Sequence, residues 1–270
     1  MLVFPNAKIN LGLQITEKRK DGFHNLVTCM YPVPLTDALE IIQAKKTVFT
    51  SSGIAIPGND KDNLILKAYQ LLKKDFNDLP PIAIHLHKAI PIGAGLGGGS
   101  ADAAFALKVM NKLFDLYLED WFLEDYAAKL GSDCPFFIEN TPKIATGRGE
   151  ILETADLKLK GQWLVLVNPN IHIDTKEAYA GIKPKRPQVD LKEVLNDRDR
   201  WKEELVNDFE ASIFVKHPEI KAIKEKLYDR GAYYAAMSGS GSTVFGLFDK
   251  EPDVEVGTTG YFTFKGEILQ

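Results

Sequence analysis

The residues with the clearest chemical capacity are the glycines of one stretch, residues 91–101. Five of the 21 glycines in the 270-residue chain lie within residues 91–99, and a helix-like pattern follows from Ala101. Glycine has no Cβ, so its backbone can approach a ligand closely, and the amides at the start of a helix attract negative charge. The stretch therefore predicts an anion site, most simply for phosphate. Its predicted phosphate-binding residues are Pro91, Ile92, Gly93, Ala94, Gly95, Leu96, Gly97, Gly98, Gly99, Ser100 and Ala101.

Two general phosphate motifs can be compared with this stretch. In a Walker A loop, Lys and then Ser or Thr follow the last glycine of the motif. Here Gly98 is followed by Gly99 and Ser100, so the required lysine is missing and the motif is excluded. A dinucleotide fingerprint can be written through Gly93, Gly95 and Gly98, but the acidic residues about twenty positions on follow a predicted helix rather than a strand. Dinucleotide binding stays open as a weaker alternative, beside a glycine turn without a ligand.

A lysine, an asparagine and an aspartate are further candidates. Apolar residues alternate with Lys8 and Asn10 over residues 7–11, which places these two polar side chains on one face of a predicted strand. That face points either to solvent or to a polar site. Asp133 lies between a Gly-Ser turn and a Cys-Pro-Phe-Phe segment, so we expect partial burial. A buried carboxylate needs a partner, and Lys8 is a candidate.

Two more segments have suitable residue types. Phe23 and His24 follow an Asp-Gly turn, where they could stack on a flat ring or simply anchor the loop. A second glycine-rich segment, residues 237–243, has small residues that allow close backbone approach. It could approach the ligand of the first glycine stretch or another strand.

The elements that must position these residues can be predicted from alternation and helical periodicity. Strands are predicted at residues 2–15, 26–31, 39–42, 47–50, 82–90, 136–137, 163–167, 244–248 and 260–268. Helices are predicted from Leu64, after the capping pair Asp62 and Asn63, and at residues 101–114, 118–130, 175–180, 191–201 and 218–230. A polar stretch within residues 140–160 could join two domains. We therefore predict an N-terminal domain, residues 1–155, which carries the glycine stretch, and a C-terminal domain, residues 156–270.

Composition limits the class of protein. The chain is 45% hydrophobic and 26% charged, and its net charge of -4 argues against a general nucleic-acid surface. No apolar run has membrane-spanning length, and the N-terminus does not have the pattern of a signal peptide. Two cysteines, Cys29 and Cys134, fit a reducing compartment. We predict a cytoplasmic protein, monomeric or weakly dimeric, that acts on a small molecule and binds neither nucleic acid nor membrane.

The order of these motifs resembles the GHMP kinase superfamily, whose members phosphorylate small molecules such as galactose, homoserine and mevalonate. The glycine stretch is similar to the superfamily loop P-x-x-x-G-L-G-[GS]-[GS]-S-[AS]. Other motifs narrow the resemblance to the branch that phosphorylates a cytidine-diphosphate-linked methylerythritol in the non-mevalonate isoprenoid pathway. They lie at residues 7–11, 21–24, 62–65, 130–137 and 238–245.

The resemblance implies a fold and an activity. The fold is α+β, with a ribosomal-protein-S5-like N-terminal domain and a ferredoxin-like C-terminal domain. The activity is phosphoryl transfer from ATP with Mg²⁺, in which Lys8 and Asp133 act together on the acceptor hydroxyl. The glycine stretch would hold the ATP phosphates, and Ser100 would reach a phosphate oxygen or the Mg²⁺.

The resemblance also implies an acceptor site in which aromatic residues hold cytosine and the Ser-Gly turn supports the diphosphate. The predicted substrate-binding residues are Asn10, Phe23, His24, Thr175, Tyr179, Gly239 and Ser240. Two positions depart from the family pattern, because Phe23 stands where tyrosine is usual and Asn6 where proline is usual. A kinase of the homoserine or mevalonate type is the main alternative. A further alternative is that Lys8 and Asp133 form only a structural ion pair.

Overall fold

The computed structural model describes residues 1–59, 62–185, 189–253 and 260–269. The chain forms two compact units, each built from separate stretches of sequence. Unit 1 comprises residues 1–7, 35–92 and 97–141, and unit 2 comprises residues 8–34, 93–96 and 142–270. The glycine stretch contributes to both units. The predicted boundary divides the chain at a single point, after residue 155, and it stays a prediction.

Strands and helices are numbered in chain order. The strands are β1 (Leu2–Val3), β2 (Asn6–Lys18), β3 (His24–Thr36), β4 (Ala38–Gln43), β5 (Val48–Gly53), β6 (Ile82–Lys88), β7 (Lys143–Thr146), β8 (Ile151–Thr154), β9 (Trp163–Asn168), β10 (Tyr234–Met237), β11 (Val244–Phe248) and β12 (Phe262–Glu267). The helices are α1 (Leu64–Asp75), α2 (Gly98–Leu113), α3 (Asp120–Leu130), α4 (Phe136–Glu139), α5 (Thr175–Ala180), α6 (Leu191–Leu195), α7 (Trp201–Glu204), α8 (Glu210–Lys216) and α9 (Pro218–Asp229).

Unit 1 contains a mixed sheet in the order β1-β4-β6-β5. Strand β6 alternates as predicted: Ile84 and Leu86 are buried, whereas His85 and His87 are exposed. β4 pairs antiparallel with β6 and β5 pairs parallel with it. The end of β6 leads directly into the glycine stretch.

Helix α2 begins at Gly98, within the glycine stretch, and packs against α1 and α3. Its buried positions include the small residues Ala101, Ala103, Ala104 and Ala106, which allow neighbouring elements to approach closely. The predicted cap of α1 is confirmed, because the Asn63 side chain accepts a 2.9 Å hydrogen bond from the Ile65 amide. Residues 98–101, the last four of the glycine stretch, are the first turn of α2.

Unit 2 contains two sheets, in the orders β2-β3-β7-β8 and β10-β11-β9-β12. In the second sheet all neighbours are antiparallel. Counted from β9, its order is 2-3-1-4, which is that of a ferredoxin-like sheet. The connection from β9 to β10 contains helices α5 to α9, whereas the described part of the connection from β11 to β12 contains none.

The core of this second sheet is apolar and continuous. It includes Val165, Val167, Ile213, Ile220, Ile223, Leu227, Ala235, Met237 and Val244, and Tyr179 packs at its edge. The predicted α+β class is therefore confirmed. Among the helices of the described ranges, none has both the length and the apolarity needed to cross a membrane.

Two predictions of local structure were wrong. The apolar segment predicted as a strand at residues 136–137 is the short helix α4, because a run of three or four apolar residues fits either a buried strand or one helical turn. The helix predicted at residues 191–201 is interrupted after α6, where the Asp197 side chain accepts from the Asp199 amide and starts a 3₁₀ turn. Within residues 140–160, where a polar stretch could join two domains, the chain forms the antiparallel pair β7 and β8. The role of this stretch as a linker stays a prediction.

Candidate active site

In unit 2, three of the predicted motifs meet at the backbone of Gly95. The Lys8 ammonium donates to the Gly95 carbonyl at 3.0 Å, and the Ser238 hydroxyl donates to the same oxygen at 2.9 Å. The Lys8 amide also donates to the Leu96 carbonyl at 2.9 Å. The first long strand, the glycine stretch and the Ser-Gly turn therefore form one hydrogen-bonded group.

The approach at Gly95 is possible only for glycine. Its φ is +79°, and a Cβ at this position would lie 2.0 Å from the Ser238 carbonyl oxygen. A Cβ on Gly239 would lie 3.3 Å from the Gly95 Cα. The small residues of the Ser-Gly turn are therefore explained by direct contact with the glycine stretch.

Lys8 and Asn10 are buried, with 3% and 2% of their surface exposed, so the solvent-facing alternative for this strand face was wrong. The Lys8 ammonium donates to the Asn10 side-chain oxygen at 2.5 Å, and the Asn10 amide donates to the Thr28 hydroxyl at 3.1 Å. A buried ammonium needs acceptors. These two acceptors, the Asn10 side-chain oxygen and the Gly95 carbonyl, fix the orientation of the ammonium.

In unit 1, the start of α2 has the geometry expected of an anion site. Gly97 precedes the helix in the left-handed conformation, with φ +70°, and a Cβ on Gly99 would have no atom within 4 Å. Ser100, in the first turn, is hydrogen-bonded to the Cys134 thiol. Burial raises the pKa of this thiol to about 11, so Cys134 is an unreactive buried thiol.

Asp133 lies in the turn between α3 and α4 and is half-buried, as predicted. Its neighbours on either side differ, since Ser132 is exposed and Cys134 is buried. The turn is held by the Cys134 amide, which donates to the Gly131 carbonyl at 3.2 Å. A short turn between two helices thus presents the carboxylate.

The predicted aromatic residues of unit 2 come together in part. The His24 and Tyr179 rings stack with a centroid distance of 4.8 Å and an interplanar angle of 21°. Tyr179 also meets the edge of Phe209, at 4.9 Å between centroids. Burial, with a contribution from Lys18, lowers the pKa of His24 below its ordinary value, which favours the neutral ring.

Phe23 is 54% exposed and has a partner that the sequence did not reveal. The Arg148 guanidinium lies over the Phe23 ring, 5.0 Å from its centroid, and pairs with Glu150 at 3.4 Å. The only sequence signal was the Thr-Gly-Arg-Gly-Glu run at residues 146–150, which had no assigned role.

The remaining predicted residues of the acceptor site lie at element ends. Thr175 is the exposed first residue of α5, after the capping residue Asp174. Gly239 and Ser240 are half-buried in the turn between β10 and β11, and the Gly239 carbonyl accepts from the Asn207 amide group at 2.9 Å. Short turns and a helix start thus position all three.

A buried ionic group in unit 1 was also missed. The Lys88 ammonium donates to Asp37 and, at 2.8 Å, to Asp102. The other Asp37 oxygen accepts from the amides of Ala89 and Ile90, at 2.6 and 2.8 Å. Lys88 and Asp102 flank the glycine stretch, but no local pattern connects them with Asp37, which is 51 residues from Lys88.

The described residues contain no group of three or more His, Cys, Asp or Glu side chains that could hold a metal ion. Mg²⁺ in phosphoryl-transfer sites keeps several waters and binds through phosphates with only one or two protein oxygens. The Ser100 hydroxyl, at the start of α2, fits such a limited role. The donor set is thus compatible with Mg²⁺ that arrives with a nucleotide.

Family models match two parts of the chain: the GHMP kinases N-terminal domain at residues 63–140 and the GHMP kinases C-terminal domain at residues 189–257. The 4-diphosphocytidyl-2-C-methyl-D-erythritol kinase of Cytophaga hutchinsonii is 54% identical, with 94% of each chain covered. That of Bacteroides fragilis is 53% identical, with 99% of this chain and 100% of the relative covered.

Solved structures agree with this relationship. A crystal structure of 4-(cytidine 5'-diphospho)-2C-methyl-D-erythritol kinase has a TM-score of 0.81 at 30% identity, with coverage of 93% of this chain and 91% of that one. The mevalonate kinase of Methanococcus jannaschii has a TM-score of 0.72 at 13% identity, with coverage of 100% and 98%, which shows the shared fold alone. The chain belongs to the GHMP kinase family and, within it, to the 4-diphosphocytidyl-2-C-methyl-D-erythritol kinases.

Proposed function

We propose that this enzyme transfers the γ-phosphoryl group of ATP to the 2-hydroxyl of 4-diphosphocytidyl-2-C-methyl-D-erythritol. The observation that carries the proposal is the convergence of Lys8, the glycine stretch and the Ser-Gly turn at the Gly95 carbonyl. These motifs are distant in sequence, and a shared ligand explains why they meet. The near full-length relatives supply the identity of that ligand.

In this proposal the glycine stretch and the start of α2 bind the ATP phosphates. The free amides of the first helical turn and the positive end of the helix dipole favour the phosphate charges. The open space beside Gly99 leaves the backbone accessible to a phosphate. Mg²⁺ bound with ATP would neutralise phosphate charge, and Ser100 would be its protein ligand.

The reacting groups are Asp133 and Lys8. The 2-hydroxyl oxygen attacks the γ-phosphorus, the bond from that phosphorus to the ADP oxygen breaks, and the hydroxyl proton passes to the Asp133 carboxylate. Lys8 offsets the negative charge that develops at the acceptor oxygen. The Asn10 side-chain oxygen and the Gly95 carbonyl hold its ammonium in place.

The cytosine ring is placed at the aromatic residues of unit 2, with His24 on one face and Tyr179 on the other. At 4.8 Å the two rings are in direct contact. A ring between them needs a separation of roughly 7 Å, which is two contact distances. We therefore propose that the pair separates when cytosine binds. Asn10, Thr175, Gly239 and Ser240 are assigned to the rest of the acceptor.

A kinase of the homoserine or mevalonate type would share Lys8, the glycine stretch and Asp133. It would have no use for a neutral histidine stacked on a tyrosine, because its acceptor contains no flat ring. The His24–Tyr179 pair therefore favours the cytidyl acceptor.

The test is ADP formation from Mg-ATP with three acceptors: 4-diphosphocytidyl-2-C-methyl-D-erythritol, mevalonate and homoserine. We expect turnover with the cytidyl acceptor alone, and competitive inhibition by CDP against that acceptor. Turnover with mevalonate or homoserine instead would overturn the assigned acceptor and retain the kinase. Absence of turnover with all three would overturn the proposed function.

A further inference from the structure

Three ionic side chains are buried beneath the two ends of the glycine stretch, and we call them the loop-base triad: Asp37, Lys88 and Asp102. Their exposed fractions are 1%, 3% and 3%. The proposed phosphoryl transfer gives them no direct chemical step. Buried charges of this kind are expensive to desolvate, and their best-attested benefit is that they specify one geometry.

The triad connects the segment before the glycine stretch to the segment after it. Lys88 is the last residue of β6, and Asp102 lies in the first turns of α2. The 2.8 Å bond between them therefore joins the two ends of the intervening loop. Asp37 fixes the first end further, because it accepts from the amides of Ala89 and Ile90.

Gly98 shows how closely the triad approaches the start of α2. A Cβ on Gly98 would lie 2.9 Å from the Lys88 Nζ and 2.8 Å from the Ile90 Cγ2. The end of a lysine side chain can normally move away from such a contact. Here the ammonium is held by two carboxylates, so it lies against the first residue of the helix. The triad thus supports the backbone whose amides are assigned to phosphate.

The charges of the triad are also unusual. Two carboxylates face one ammonium, and the Asp102 Oδ1 has no hydrogen-bond partner. Burial raises the pKa of the Asp102 carboxyl to about 7, against the effect of Lys88 and with a contribution from Asp37.

We propose that Lys88, together with Asp37 and Asp102, is a positioning group for phosphoryl transfer, which holds the two ends of the glycine-rich loop at the spacing that ATP phosphates require. The inference rests on the proposed function, in which this loop binds ATP. It predicts that substitutions in the triad lower the affinity for ATP and leave the affinity for the cytidyl acceptor unchanged.

The test uses Lys88→Met, Asp102→Ala and Asp102→Asn in the full chain, with ATP and acceptor affinities measured separately by calorimetric titration. Asparagine keeps an oxygen that can accept from Lys88, whereas alanine does not. We expect Lys88→Met and Asp102→Ala to raise the Kd for ATP at least tenfold. Asp102→Asn should stay within threefold of wild type, and all three variants should bind the acceptor as wild type does.

Tyr126→Phe is the matched control for a loss of stability in unit 1. Tyr126 is buried, and its hydroxyl donates to Asp75 at 2.6 Å, outside the glycine stretch. This variant should have a lower unfolding temperature and an unchanged Kd for ATP. An equal loss of ATP affinity in the control would overturn the inference, because general destabilisation would then explain the triad variants.

Each remaining outcome is decisive. Wild-type ATP affinity in folded Asp102→Ala would overturn the inference and leave the proposed function intact. A parallel loss of ATP and acceptor affinity would overturn it too, because the selectivity is absent. If Lys88→Met does not fold, the comparison of Asp102→Ala with Asp102→Asn decides. Failure of the wild type to bind ATP would overturn both proposals.

Discussion

Gly95 has almost no room for a side chain, so it gives a sharp prediction at the residue scale. An alanine there must adopt φ near +79° and place its Cβ 2.0 Å from the Ser238 carbonyl oxygen. Backbone strain costs about 1–3 kcal/mol and overpacking costs a similar amount. We expect Gly95→Ala to lower the free energy of unfolding by about 3 kcal/mol or more, measured by urea denaturation.

Gly99→Ala is the matched control, four residues further on. No atom lies within 4 Å of a Cβ there, and the residue is in the first turn of α2. We expect unchanged stability, or a gain of up to about 1 kcal/mol from reduced freedom of the unfolded chain. Equal losses at both glycines would show that the glycine stretch is sensitive to any Cβ, and that the contact with Ser238 has no special weight.

Sequence reasoning at this scale worked where a residue type has few uses. The small residues at 237–243 predicted close backbone approach, and the contact of Gly95 with Ser238 is such an approach. Phosphate binding by the glycine stretch stays a prediction. Sequence reasoning failed to decide whether Lys8 is buried or exposed, because strand alternation separates two faces without showing which face is covered. Burial of Lys8 depends on elements that are distant in sequence.

At the element scale, the strand β6 and the helix α2 meet through Asp102, and this contact has a pH dependence. The pKa of Asp102 rises from 3.8 to about 7 on folding, so between these values the folded state holds a proton that the unfolded chain has lost. Stability from this group therefore falls as the pH rises from about 4 to about 7 and is level above.

Asp102→Asn should remove this slope. We expect the difference in unfolding free energy, variant minus wild type, to increase between pH 5 and pH 7. The upper limit of this slope is roughly 1.4 kcal/mol per pH unit. Urea titrations at steps of half a pH unit measure the difference. Asp156→Asn is the control, because Asp156 is highly exposed. A flat difference for Asp102→Asn would show that Asp102 is already ionised in the folded state at low pH.

The contact between α5 and β3 gives a prediction about the acceptor. Stacking of a base on an aromatic side chain contributes roughly 1–3 kcal/mol. Tyr179→Ala should therefore raise the KM for the cytidyl acceptor by about tenfold to a hundredfold and leave the KM for ATP unchanged. Tyr117→Ala, at a tyrosine that is 86% exposed, should change neither constant. A selective rise in the KM for ATP would place Tyr179 outside the acceptor site.

Element prediction succeeded for long periodic segments and failed for short ones. α2 and β6 were predicted because their apolar positions repeat over several turns or alternations. α4 is a single turn in which Phe136, Phe137 and Ile138 are all buried, so no periodicity separates it from a strand. Asp37 could not be linked to Lys88, since their ion pair exists only after β4 and β6 have paired.

At the scale of the whole molecule, a ligand that binds only the folded state raises its stability. ATP at one hundred times its Kd should add about 2.7 kcal/mol, which corresponds to a rise in Tm of roughly 5 °C for a chain of this size. We expect this rise with Mg-ATP in a thermal-shift measurement and none with NAD. A shift with NAD alone would revive the dinucleotide alternative.

The family and the fold class could be predicted because the motifs extend over almost the whole chain in a fixed order. The composition of the two units could not, since unit 1 takes residues 97–141 and unit 2 takes residues 93–96 from one continuous stretch. Which unit a short stretch belongs to depends on its long-range packing, and this leaves no local pattern in the sequence.

The most direct test of the proposed chemistry is the single-turnover rate of phosphoryl transfer from Mg-ATP to 4-diphosphocytidyl-2-C-methyl-D-erythritol in Asp133→Asn, with ATP affinity titrated in parallel. Ser132→Ala, at the exposed neighbouring residue, is the control. Loss of a positioned proton acceptor typically costs about 10²–10⁴ in rate. We predict such a loss in Asp133→Asn, with ATP affinity and the control rate unchanged. Transfer at the wild-type rate in Asp133→Asn would contradict the account and leave Asp133 a structural role only.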